Sequence, residues 1–312
     1  MVLRKTHKRK ALKILGFICF FIMVASITAI VWVIFRGDGL NNDQTDGQEV
    51  EQNSVVPDMK PEEPIEIVLP PRIDFQETID NWVSGVGGNK SVMIYDLDRG
   101  ELVGSYNPDE KYSTASVYKL FVVYEGYRRV QSGEWQGDAA AGTTGYTVKE
   151  CLDLSIRRSY SPCAETLWGM IGRAELDRIV ADEFGLVNSN ISNLISTPRD
   201  VMAVMKLFYD HKSIKDQQLV DLMKDSFLNQ PVTEYNWRQG LPSGFSRANV
   251  YNKVGWDYNG KSWNIYHDAA IVEFPDQDRH FIVVVMSNQV PFERIRDFGS
   301  RVESVFYSTI QG

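Results

Sequence analysis

The sequence ASVYKLFVVYEGYRRV fills residues 115–130. It predicts a helix that is apolar on nearly every side, and such a helix belongs inside a sizeable core. Ser116 and Lys119 stand at its start. Residues three apart share one helix face, so the amine lies beside the hydroxyl. A serine hydroxyl is a weak nucleophile and needs a neighbour to take its proton. A lysine can do this when burial and nearby charge leave it neutral. The helix N-terminus adds free N–H groups and a positive field for a developing oxyanion. No other Ser-x-x-Lys occurs in the chain.

Outward from this helix, the order of elements suggests the architecture. Residues 73–83 place Ile73, Phe75, Ile79, Trp82 and Val83 at loosely helical spacing. Residues 91–97 and 101–106 read as strands joined by the turn Asp98-Arg99-Gly100. From 147 to 228 the pattern is helical, with loops near 185–198 and 211–216. Strands follow at 250–255, 265–274 and 280–286, then a last helix over 291–307. Strands therefore open and close the domain around a helical insertion. This is an α+β arrangement, an antiparallel sheet with packed helices plus an all-helical lobe. A cleft between the two lobes is where a site is expected.

Two further triplets carry chemistry. Ser159-Tyr160-Ser161 falls between helical stretches, where Ser159 can relay a proton to a leaving group. Ser262-Trp263-Asn264 has similar spacing but sits in a hairpin between late strands. Lys253-Val254-Gly255 lies on a strand. Its Lys can bind a substrate carboxylate, and its Gly allows close backbone approach. The N–H of Trp256 can then join that of Ser116 as an oxyanion donor.

Ser-x-x-Lys on a helix after two strands, Ser-x-Ser in a helical block and Lys-x-Gly on the next strand resemble the three-motif layout of the penicillin-recognising serine enzymes. Residues 146–150 (YTVKE) and 155–167 (SIRRSYSPCAETL) look like the class A β-lactamase segment that carries Ser-Asp-Asn. Residues 253–272 and 281–286 look like its closing strands. The resemblance covers roughly residues 72–310 and implies a five-stranded β-lactamase/transpeptidase-like fold. It further implies Ser116, Lys119 and Ser159 as catalytic residues, with Ser161, Lys253, Gly255 and Trp256 meeting the substrate. Tyr160-Ser161 replaces the usual Asp-Asn, and Val254 removes a carboxylate-binding hydroxyl. If the ligand has no carboxylate there, Trp256 and His267 become the contacts. Residues 185–199 (GLVNSNISNLISTPR) hold no Glu or Asp where class A enzymes carry the deacylating Glu. The expected function is an acyl-enzyme with β-lactams or D-alanyl peptides, deacylating slowly. The alternatives are a non-catalytic domain binding peptidoglycan or a partner protein, and a hydrolase for another ester or amide.

Residues 1–13 carry Arg4, Lys5, Lys8, Arg9, Lys10 and Lys13 and no acid. Residues 14–35 are uncharged and long enough to cross a bilayer as a helix. The basic cluster stays cytoplasmic by the positive-inside rule, which places residues 71–312 outside the cytoplasm. The apolar run ends in Val31-Trp32-Val33-Ile34-Phe35, a poor cleavage site, so an uncleaved anchor is expected. Residues 36–70 are acidic and Pro-containing and read as a disordered tether. A net charge of -8 argues against nucleic acid as a partner. The four histidines lie at scattered positions without metal-ligand spacing, and neither a metal nor a cofactor is expected. Cys151 and Cys163 can pair only if two helices bring them together.

Overall fold

The computed structural model describes residues 69–233, 235–258 and 264–311. The expected anchor, and the tether except for its last two residues, lie outside the described residues, as do Ser262 and Trp263. Among the described residues no helix is long and apolar enough to cross a membrane.

The described residues open with α1 (Gln76–Gly85) and the hairpin β1 (Asn89–Asp96) and β2 (Glu101–Tyr106). They close with β5 (Asn249–Tyr258), β6 (Asn264–Phe274), β7 (Arg279–Asn288) and α8 (Phe292–Gln311). These strands form one five-stranded antiparallel sheet in the order β2-β1-β7-β6-β5. The strands that open and close the domain thus meet at β1 and β7, and β5 is left as an edge strand.

Alternation along the strands divides the core in two. On β6, Ala270, Val272 and Phe274 face one side, with Phe281, Val283 and Val285 of β7. They pack with Trp82 of α1 and with Phe298, Val302 and Phe306 of α8. Ala269 and Ile271 face the other side, with Ile282, Val284 and Met286, against the helical lobe. A strand period of two sends alternate side chains to opposite faces, so a sheet covered on both faces reads as a continuous apolar run.

The lobe between β2 and β5 holds α2 (Tyr118–Gln131), α3 (Val148–Arg157), α4 (Ser161–Ile171), α5 (Arg173–Arg178), α6 (Pro198–Asp210) and α7 (Gln217–Leu228). Every residue of α2 from Tyr118 to Tyr127 is buried, as its all-round apolar sequence demands. Thr147 and Glu150 form a reciprocal capping box that fixes the start of α3, and Thr197 caps α6. A two-stranded ribbon absent from the sequence reading pairs β3 (Tyr112–Ser113) with β4 (Ile195–Ser196). Both strands have only two residues, too few for a period to register.

Candidate active site

Ser116 lies in the 3-10 turn Ala115–Val117 that leads into α2. Three contacts hold this turn. Upstream, β3 pairs with β4, and the Thr114 N–H donates to the Leu194 carbonyl at 2.8 Å. From the sheet, His267 Nε2 lies 2.7 Å from the Ser113 carbonyl, while its Nδ1 accepts the Ser287 N–H at 3.0 Å. The second bond places the imidazole proton on Nε2, which donates to Ser113. Complete burial pushes the His267 pKa down to about 4, so the ring stays neutral. From β5, Gly255 presses directly on the turn. A Cβ there would stand 2.7 Å from the Thr114 carbonyl and 2.9 Å from Val117 Cγ2. Within this frame Ala115 takes a φ of 43°, left-handed for a residue that has a side chain.

Lys119 is fully buried one turn into the lobe. Its Nζ donates to Ser116 Oγ at 3.0 Å, the Ser159 carbonyl at 2.6 Å, Ser159 Oγ at 3.2 Å and Ser161 Oγ at 3.1 Å. Desolvation lowers its pKa to about 8, against a smaller opposing pull from Glu165. Lys253 approaches from β5, donating to Ser159 Oγ at 2.9 Å and to the Val254 carbonyl at 2.6 Å. Burial, then repulsion from Lys119, hold its pKa well below that of a free lysine, while Asp268 pulls the other way. Asp268 is itself buried and accepts from Asn252 Nδ2 at 2.9 Å and the Leu241 N–H at 2.8 Å. Its pKa is pushed up to about 6 by burial. Two amines thus share one hydroxyl, and charging both at once is disfavoured. Ser116 and Ser159 stay partly exposed and Ser161 is exposed, so the hydroxyl chain opens to solvent above buried amines.

Residues 74–306 match the profile of Beta-lactamase2, described as a beta-lactamase enzyme family. The chain belongs to the beta-lactamase enzyme family. Solved structures agree in fold. A beta-lactamase from Chitinophaga pinensis superposes with a TM-score of 0.63 at 15% identity, covering 75% of this chain and 98% of that one. An ancestral Gram-negative class A beta-lactamase gives 0.64 at 16% identity, covering 75% of this chain and 100% of that one. The structure of PBP-A gives 0.62 at 20% identity, covering 77% and 100%. No curated protein is significantly similar to this beta-lactamase-family chain in sequence.

Of the residues singled out from sequence, Ser116, Lys119, Ser159, Ser161 and Lys253 converge. Others stand differently in this family member. His267, expected to touch ligand, has no exposed surface, and both its ring nitrogens are committed inside the fold. Gly255 makes room for the Thr114 carbonyl of its own chain rather than for a substrate. Val254 points into the core shared with α1 and α8, so a hydroxyl introduced there would be buried. Ser161 bonds Lys119, as Ser159 does. The Trp256 side chain packs against Tyr235 and Trp237, with ring centroids 5.5 and 6.2 Å away. The roles of His267 and Asp268 carried no motif. Both are polar residues inside the apolar run of β6, a pattern that marks a buried, partnered group without naming the partner.

Acids that could stand in for a deacylating carboxylate are engaged elsewhere. The Asp200 carboxylate accepts from the Asn188 N–H at 3.0 Å and from Ser189 Oγ at 2.9 Å, pinning the loop that precedes α6. Glu183 pairs with Arg128 and Arg178. Glu165 accepts from the Tyr118 hydroxyl at 2.7 Å and from Arg173 at 2.8 Å. A separate cavity of about 440 Å³ between α6, α7 and the sheet is lined by Phe208, Phe227, Tyr251 and Glu273 among others, and contains none of the motif residues. Among the described residues no group of three or more His, Cys, Asp or Glu side chains is placed to hold a metal.

Proposed function

We propose that this protein is a membrane-anchored, extracytoplasmic serine hydrolase. In this reading it forms an acyl-enzyme at Ser116 with β-lactams or with D-alanyl peptides of peptidoglycan, and deacylates slowly. The observation that carries the reading is the 3.0 Å contact between Ser116 Oγ and the buried amine of Lys119, whose pKa is about 8. Neutral Lys119 takes the Ser116 proton as Oγ attacks the carbonyl carbon. The N–H groups of Ser116 and Trp256 hold the oxyanion. Ser159 Oγ accepts from Lys119 and Lys253, which leaves its own proton for the departing nitrogen. Lys253 adds positive field for a substrate carboxylate.

Slow deacylation follows from the acids. Residues 185–199 offer none, and Asp200, Glu165 and Glu183 are held by other partners. The anchor rests on the uncharged run 14–35 behind a basic cluster. The Cys151–Cys163 disulfide fits an oxidising compartment outside the cytoplasm.

A second reading, a non-catalytic domain that binds peptidoglycan or a partner protein, draws on Ser161 and Val254, which replace an amide and a hydroxyl used for substrate binding. A fluorescent penicillin separates the two. Covalent labelling that is lost in Ser116→Ala and Lys119→Ala supports the enzyme, and absence of labelling in the intact protein supports the binding domain.

A further inference from the structure

Cys151 of α3 and Cys163 of α4 are joined by a disulfide, with their Cα atoms 4.8 Å apart. Both side chains are buried. The bridge closes a short loop, and that loop carries Ser159-Tyr160-Ser161. Three of the four hydrogen bonds described for Lys119 Nζ come from this triplet: the Ser159 carbonyl, Ser159 Oγ and Ser161 Oγ. The hydrogen bond from Lys253 ends there as well.

Apart from the bonds it accepts from Lys119 and Lys253, the triplet has few local supports. Ser159 sits at a φ of 51°, a left-handed conformation that a residue with a side chain keeps only under outside constraint. Tyr160 and Ser161 are exposed. No side chain caps α4, whose first residue is Ser161. Backbone support consists of Ser159 N–H to the Ile156 carbonyl at 3.3 Å, Tyr160 N–H to the Leu154 carbonyl at 3.0 Å and Ala164 N–H to the Tyr160 carbonyl at 3.3 Å. The covalent tie lies two residues beyond Ser161.

We propose that the Cys151–Cys163 bridge is a positioning pair: it holds Ser159 and Ser161 on Lys119 and makes acylation of Ser116 depend on the oxidised state. This inference rests on the acyl-enzyme reading. Reduction by a dithiol such as dithiothreitol passes two electrons and two protons to the cystine. It leaves two thiols and the cyclic disulfide of the reagent. Ser159 then relaxes from its left-handed conformation while α2, buried from Tyr118 to Tyr127, keeps its place.

The test uses the full-length chain in three forms: oxidised, reduced with dithiothreitol, and C151A/C163A. Stopped-flow labelling with a fluorescent penicillin separates non-covalent binding from the acylation step. Loss of the bridge should lower the acylation rate constant about 10–100-fold, as expected for a misplaced reacting group, with binding changed less than about twofold. Reoxidation of the reduced protein should restore the rate. A rate constant within about twofold of the oxidised protein, accompanied by a lower Tm, would show that the bridge only stabilises the fold and would overturn the proposal. Amide hydrogen exchange gives a readout that needs no acylation. Reduction should speed exchange at Ser159 and Tyr160 about tenfold or more, with α2 unaffected. Unchanged exchange at those residues, or acceleration throughout α2, overturns the proposal. If the oxidised protein takes no label, the acyl-enzyme reading fails, and exchange alone decides the positioning role.

Discussion

The acylation rate should depend on pH through one buried amine. Lys119 serves as base only when neutral, and burial brings its pKa to about 8. The neutral fraction is then about 3% at pH 6.5, half at pH 8 and about 90% at pH 9. Acylation should therefore rise about 30-fold between pH 6.5 and 9 and level off above. An ordinary lysine near 10.5 would be neutral in only about 0.03% of molecules at pH 7, against about 9% here, so burial supplies a factor of roughly 300. The sign follows from the active form: the rate is present above the lowered pKa and is lost as pH falls through it. His267, at about 4, and Asp268, at about 6, titrate below this window. Stopped-flow fluorescence with a labelled penicillin at constant ionic strength would measure it. A flat profile from pH 6.5 to 9, or a midpoint at 10 or above, would refute the assignment of Lys119 as base.

Other outcomes follow from particular contacts. Gly255→Ala drives a methyl into the Thr114 carbonyl, and overpacking of this kind costs about 1–3 kcal/mol. The Tm should fall by about 3–10 °C in a thermal melt, with acylation slowed through the displaced Ser116 turn. Lys253→Met removes the amine that supplies positive field for a substrate carboxylate, so acylation should slow while its midpoint, set by the burial of Lys119, stays near 8; a midpoint that moves upward would show that the charge of Lys253 helps set it. Lacking a free carboxylate to activate water, the acyl-enzyme should decay about 10²–10⁴-fold more slowly than one with such a base, giving a burst of about one equivalent in product release. Cell fractionation should place the intact chain in membranes, with protease releasing the domain by cutting within residues 36–70. A soluble form beginning near residue 36 would instead mark residues 14–35 as a signal peptide.

Much of the architecture was legible because the chain repeats simple patterns. The all-round apolar helix after Ser116, the alternating or continuous apolar runs of β1, β6 and β7, and the helical block between them each carry a period long enough to read. The order of the three motifs, more than any one of them, located Ser116, Lys119, Ser159 and Lys253. What escaped depends on contacts between distant residues. Nothing local marks Gly255 as the neighbour of the Thr114 carbonyl, because the two meet only when β5 packs on the turn. From sequence, His267 stands as a contact only for a ligand that lacks a carboxylate beside Lys253. Its partners, Ser113 and Ser287, are remote in sequence and exist only in the folded sheet. Val254 replaces a hydroxyl in the linear motif, but the strand period turns its side chain into the core on the opposite face of the sheet. The Cys151–Cys163 pairing required α3 and α4 to lie side by side, which helical periodicity alone does not establish.

Intact-mass spectrometry of the full-length protein mixed with a penicillin, followed by peptide mapping over time, tests the central claim most directly. The account predicts a single adduct equal to the mass of the penicillin, on the peptide that contains Ser116, still present after minutes and absent from Ser116→Ala. An adduct on another residue, or an unmodified chain with the drug left intact, would contradict it.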